Sequence, residues 1–110
     1  MPRVIVPVTQ FSKAGIAPAA EVTGDPTNLH YLFNDSQTVI LVRNNGASTR
    51  TFTAQFAVTF DGQSVTGKPY SIPATSSRYI GPFETGTYGT TMNVDVDHAD
   101  LRLSAYTMAR

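Results

Sequence analysis

No cysteine occurs in the 110 residues. A disulfide framework, a thiolate zinc site and a thiol nucleophile are thereby excluded, and cysteine usage points to no redox compartment. Tryptophan is missing as well, which removes the largest aromatic platform for stacking a ligand. An excess of charge of one sign is also lacking. Eight Lys+Arg balance eight Asp+Glu, and the basic residues Arg3, Lys13, Arg43, Arg50, Lys68, Arg78, Arg102 and Arg110 stand singly. Without a basic stripe there is no source for the counterion release that drives nucleic-acid binding, so nucleic acid is set aside as the main ligand. Neutrality also leaves little repulsion between copies, which favours self-association. Long apolar runs are absent. The longest near the start, Val4-Ile5-Val6, is cut by Pro7 and is too short for a secretory core or a membrane span. The expectation is a chain without a membrane partner that leaves a cell, if at all, by a route such as lysis.

What the chain has is alternation. In Thr51–Phe60 the residues Phe52, Ala54, Phe56, Val58 and Phe60 fall on every second position, with Thr51, Thr53, Gln55 and Thr59 between them. Strand side chains alternate between faces, so this period places one face on a core and the other in water. Further strands are expected over Ala19–Thr23, Leu29–Phe33, Gln37–Arg43, Gln63–Ile72, Ser77–Phe83, Thr91–Asp97 and Asp100–Met108. The continuous run Val39-Ile40-Leu41-Val42 suits a central strand covered on both faces. Asn45-Gly46 and Asp61-Gly62 are tight-turn signals. Helical periodicity is nearly absent, and Glu84–Thr90 reads as a mobile Gly- and Thr-rich loop. Short strands with turns between them describe an all-β fold, an antiparallel β-sandwich of jelly-roll or Ig-like type. Residues 16–110 form that domain, preceded by an extended N-terminal arm over residues 1–15.

Candidate chemistry is sparse. Asp95 and Asp97 share a strand face where a calcium ion could sit, but the spacing of a calcium loop is missing and no metal or other cofactor is assigned. His30 and His98 have no nucleophile motif beside them, so no catalytic residue is assigned. Glu21 and Glu84 are a weak pair for glycoside chemistry. Tyr79 and Tyr88, with the Asp95/Asp97 face, support an alternative reading as a sandwich that binds a surface glycan. The arm is more informative. Val4, Ile5, Val6, Val8 and Phe11 are apolar, and such a segment either pairs with its own sheet or adds a strand to a neighbour's open edge.

Four segments together resemble a known group. They are Gly24-Asp25-Pro26-Thr27-Asn28, Asn34–Asn44 with its Asp35-Ser36-Gln37-Thr38 turn, Asp61-Gly62, and Ile72-Pro73-Ala74-Thr75-Ser76-Ser77-Arg78-Tyr79-Ile80-Gly81-Pro82-Phe83. In this order, over most of residues 16–108, they resemble small β-sandwich virion proteins of tailed phages and prophages of actinobacteria, of the capsid decoration or minor capsid type. The resemblance implies a structural virion protein without catalysis, on the capsid exterior after assembly in the host cytoplasm. Its partners would be the major capsid protein and its own copies as a homotrimer. The expected contacts are Val4, Ile5, Val6, Val8 and Phe11 of the arm and the loops at Thr27, Thr87 and Tyr88. A head–tail or tail component is the other virion role the resemblance allows. Deleting residues 2–11 is expected to abolish docking and leave the sandwich folded.

Overall fold

The computed structural model describes residues 3–18, 21–57, 61–63 and 67–108. Ten strands and one helical turn follow in order: β1 (Val4–Ile5), β2 (Val8–Gln10), β3 (Val22–Thr23), β4 (His30–Phe33), β5 (Thr38–Asn44), β6 (Arg50–Ala54), β7 (Lys68–Ile72), β8 (Ser77–Ile80), α1 (Thr85–Tyr88), β9 (Thr91–Val96) and β10 (Leu101–Thr107). One sheet runs β1-β4-β9-β6-β7 and the other β2-β10-β5-β8, with β3 also on β10. The sheets pack face to face as a β-sandwich. All pairings are antiparallel except two. β1 lies parallel to β4 and β2 parallel to β10, so both sheets are mixed.

Alternation builds the core. Thr38, Ile40, Val42 and Asn44 of β5 are buried, as are Phe52 and Ala54 of β6, Met92, Val94 and Val96 of β9, and Leu101, Leu103 and Ala105 of β10. Each large aliphatic or aromatic side chain so removed from water contributes roughly 1.5–3 kcal/mol. Central placement of the Val39–Val42 run holds, since β5 lies between β10 and β8. Its expected cover on both faces does not. Val39 and Leu41 point to the outer face and are only half-buried, because among the described residues no second sheet lies over that face. Their apolar character belongs to the outer, half-buried face.

The N-terminal segment contributes one strand to each sheet. Val4 N–H donates to the Leu29 carbonyl at 2.9 Å, Val6 N–H to Tyr31 at 2.8 Å, and Phe11 N–H to Thr107 at 2.9 Å. Pro7 stands between β1 and β2. It has no N–H to leave unpaired where the chain crosses from one sheet to the other. Val6 is 1% exposed and sits in the core. Pairing with its own sheets is thus the arrangement observed. It also corrects the expectation for the deletion, because removing residues 2–11 would open the core at Val6 and strip an edge from both sheets.

Two local differences have clear causes. The strand expected over Thr51–Phe60 ends at Ala54. Gln55 makes one further bond, N–H to the Asn93 carbonyl at 2.9 Å, and the chain then turns to α1, where Ala57 N–H donates to Thr87 at 2.9 Å and Phe56 packs on Tyr88. Val58 and Phe60 lie outside the described residues, as do residues 64–66 of the strand expected next and Ala19 and Ala20 of the first. The Gly- and Thr-rich stretch is not an open loop but the single turn α1, held by Tyr88 against Phe83 (5.0 Å between ring centres) and Phe56 (5.3 Å). Asp61 and Gly62 both have positive φ, 55° and 76°, as the tight hairpin turn requires.

Candidate functional site

The arm closes one side of the sandwich. The other side is flanked by β7 and β8, the end strands of the two sheets, joined by the turn Pro73–Ser76. Asn44 fixes that turn from inside the core. Its Nδ2 donates to the carbonyls of Ser48 (2.8 Å) and Ile72 (2.9 Å), and its Oδ1 accepts from Gly46 N–H (2.9 Å). A groove of about 400 Å³ runs between the strands, with Tyr70, Ser71 and Ile72 on one wall and Arg78, Tyr79, Ile80 and Gly81 on the other. A second groove of about 280 Å³ lies on the outer face of the β8 sheet, lined by Phe11, Ile16, Pro18, Leu41, Tyr79 and Tyr106. Tyr79 is the ridge between the two and is 73% exposed.

The register explains this arrangement. Tyr79 pairs with Leu41, and Leu41 with Ser104, so all three share the outer face. Tyr106 pairs with Val39 on the same face, and the Phe11 ring stacks on Tyr106 at 5.3 Å and 6°. Arg78 pairs with buried Val42, which puts its side chain on the groove side of β8. Its Nη1 donates to the Ser77 carbonyl at 2.8 Å, and among the described residues no carboxylate pairs with it. Lys68 Nζ stands 5.3 Å from the Tyr70 ring centre. Burial pushes the Tyr70 phenol up from its ordinary pKa, so it stays protonated at neutral pH.

The acids Asp95 and Glu21 are committed elsewhere. Asp95 accepts from Arg3 Nη1 at 2.7 Å and from Gln55 Nε2 at 2.6 Å, so an arginine fills the position considered for calcium. Among the described residues no cluster of three His, Asp or Glu groups could hold a metal. Glu21 forms a two-point pair with Arg43, both contacts at 2.7 Å, and this pair holds its carboxyl below the usual range. Glu84 lies far from it. Glu21 precedes β3 beside Arg102 and Leu103, whereas Glu84 adjoins α1 near Asp35, which holds Thr107.

His30 is fully buried and both ring nitrogens are used. Asp25 N–H donates to Nε2 at 2.8 Å, so Nε2 carries no proton and Nδ1–H donates to the Val4 carbonyl at 3.1 Å. Burial depresses its pKa. This histidine is a neutral latch between β1 and the Asp25 loop, with no nitrogen left for catalysis. His98 Nδ1 accepts from Asp100 N–H at 3.0 Å, an ordinary turn contact.

The residues singled out as contacts fall in separate places. Val4 and Ile5 are 37% and 39% exposed at one edge, Val8 is half-buried, and Phe11 is 40% exposed beside the second groove. Val6 is the correction in this set, because a core residue presents nothing to a partner. Thr27 is exposed in the turn where the Asp25 carboxylate accepts from Thr27 and Asn28 N–H, both at 3.0 Å. Thr87 and Tyr88 lie on α1, at the opposite end of β4 from that turn. Tyr88 packs against the core and lines neither groove, so it does not join Tyr79 in a sugar platform. Tyr70 and Tyr106, which with Tyr31, Tyr79 and Tyr88 are the chain's tyrosines and its candidates for an aromatic platform, line one groove each, while reading the sequence for contacts missed Leu41 and Arg78. The signal for Leu41 was present, since the unbroken Val39–Val42 run exceeded what a sheet covered on one face needs.

No family model matches the chain, and no curated protein and no solved structure matches it.

Proposed function

We propose that the chain is a non-catalytic structural protein of a phage virion, a decoration protein that docks on the major capsid protein at the outside of the head. The resemblance of residues 16–108 suggests the virion setting. The observation that carries a docking role is the outer face of the β8 sheet, where Phe11, Ile16 and Tyr79 are 40%, 36% and 73% exposed beside Leu41. Apolar and aromatic side chains gathered on one face mark a protein contact more often than scattered ones do. Tyrosine is enriched among the residues that dominate such contacts. A small sandwich repeated on a shell gains by avidity what each copy lacks in area. A second strip, Ile5 beside Tyr31 with Phe33 at 59% exposure, offers a face for contact between copies in a homotrimer.

The test is co-sedimentation of purified protein with heads assembled from the major capsid protein of the same virion. Wild type should load the heads to saturation. Tyr79→Ala, which alters an exposed side chain, should weaken loading by roughly 30-fold, as expected of a central aromatic contact. Heads that take up no wild-type protein would refute the decoration role. Light scattering on Phe33→Ala tests the trimer, since the substitution leaves the core intact while truncating the arm does not.

A further inference from the structure

We propose that the open side of the sandwich receives an extended, carboxylate-bearing segment of a partner protein, which lies along β8 as an added strand and sets its acid on Arg78. This deepens the docking role above and rests on it.

The edge is available. Asn44 N–H donates to the Ser76 carbonyl at 2.8 Å, in register with the β5–β8 ladder. Antiparallel pairs alternate between hydrogen-bonded and non-bonded, so Val42/Arg78 and Ile40/Ile80 are the bonded pairs and the main chain of Ser77 and Tyr79 faces away from β5. β8 ends its sheet. The Ser77 carbonyl is taken by Arg78, while the Tyr79 N–H and carbonyl have no partner among the described residues. Across the groove β7 is a guarded edge, because Lys68 and Pro69 both discourage an added strand. The geometry therefore selects β8.

Charge selects the occupant. Arg78 reaches the groove with one main-chain bond and, among the described residues, no counter-ion, and Lys68 adds positive charge on the opposite strand. None of the residues lining the groove is acidic. A strand without an acid would cover the guanidinium and leave it unpaired, whereas a strand with one gains a charge-assisted pair. An inward-facing charge on an edge thus rejects indiscriminate pairing and admits one class of segment. The period of two specifies the rest. The acid faces the groove beside Arg78, and its neighbours in sequence face outward beside Tyr79, where apolar residues fit. A peptide is favoured over an anionic sugar because only a peptide can bond the Tyr79 main chain at strand spacing.

The experiment uses the full chain and a capped, fluorescein-labelled nonapeptide of alternating valine and glutamate, with the valine–glutamine peptide and sialyllactose as comparators. Anisotropy should show saturable binding of the glutamate peptide. Binding should be weaker by roughly tenfold or more with the glutamine peptide and with Arg78→Gln. Amide shifts should concentrate at Lys68–Ile72 and Ser77–Gly81. Arg78→Gln should keep the wild-type urea midpoint, which separates lost binding from lost fold. Equal affinity for both peptides, no loss in Arg78→Gln, or binding of sialyllactose in place of the peptide would overturn the inference. Head co-sedimentation keeps the two readings apart. Heads that bind neither wild type nor variant refute decoration while the peptide titration still decides the groove. Heads that load both equally overturn the role of the groove and leave decoration standing.

Discussion

Acidification should loosen the fold through a single side chain. His30 Nε2 accepts the Asp25 N–H and so must be unprotonated, and the ring is shielded from bulk solvent. The charged groups around it are Asp25 and Asp95, which favour the cation, and Arg3, which opposes it. Desolvation outweighs them, and the folded pKa lies below the ordinary value. With a depressed histidine the unfolded chain binds the extra proton. The stabilisation is therefore complete above the unfolded pKa of about 6.5 and is lost as pH falls from there toward the folded value. Within that window the loss approaches about 1.4 kcal/mol per pH unit for one proton. For a domain of this size that is a fall in Tm of roughly 5 °C or more per unit. The assay is urea unfolding at half-unit steps from pH 7.5 to 5, with His30→Gln as the non-titrating reference. Wild type should lose stability relative to the variant below about pH 6.5. Amide exchange at Val4 and Val6 should quicken first, because the latch holds β1. Parallel pH curves for the two proteins would refute the assignment. Asp25 and Glu21, whose carboxyls are depressed by the N–H groups of Asn28 and Thr27 and by Arg43, act in a lower window, below about pH 4.

Val6→Ala should cost about 2 kcal/mol in urea unfolding, since it empties a core position, while Ile5→Ala next to it should cost less than about 0.5 kcal/mol. Equal effects at the two sites would mean that the segment is a detached arm. Asn44→Ala should lower stability by about 2–3 kcal/mol, because the buried Ile72 carbonyl loses its donor and the Gly46 turn loses its acceptor; an unchanged midpoint would remove Asn44 as the brace of the β7–β8 turn. On heads, Arg78→Gln and Phe11→Ala should add in binding free energy, since they line different grooves, whereas each combined with Tyr79→Ala should fall short of additivity. Additivity in all three pairs, measured by titrated co-sedimentation, would show that Tyr79 is not shared between the grooves.

The sandwich was legible because its signals are local. Alternation at Phe52 and Ala54, at Met92, Val94 and Val96, and at Leu101, Leu103 and Ala105 reports a buried face residue by residue, and Asp61-Gly62 reports its turn through backbone conformation alone. The candidate site was not legible, because it is assembled by register. Whether Arg78 faces the groove or the outer surface depends on its pairing with Val42 rather than Leu41, and no short motif encodes that. The same holds for Tyr79, whose neighbours Leu41, Phe11 and Tyr106 come from three distant stretches of chain. His30 read as one position of an alternating strand. Its bond partners lie on the Val4 carbonyl and the Asp25 amide, main-chain groups that are identical in every residue type and leave no mark on sequence. The arm was ambiguous for a related reason, since an apolar strand former satisfies its backbone equally well on its own sheet or on another.

Any two-sheet sandwich has two sides where edges meet, and this chain treats them differently. On one side the segment around Pro7 binds both sheets, Val6 fills the gap, and Arg3 spans from β1 to Asp95. On the other side, among the described residues, the sheets are joined by the Pro73–Ser76 turn and its Asn44 brace. The arginines divide in part the same way, with Arg102 bonded to the Thr23 hydroxyl at 3.3 Å and near Glu21 without pairing it. Arg3, Arg43 and Arg50 each hold a carboxylate, within 2.7, 2.7 and 3.1 Å, and brace the molecule internally. Arg78, on the unclosed side, holds none among the described residues, although the chain carries as many acids as bases. An arginine kept only to stabilise the monomer gains from a nearby acid, and a neutral chain had acids to place there. An uncompensated guanidinium beside an unpaired strand edge is instead the arrangement in which the missing acid arrives with a partner.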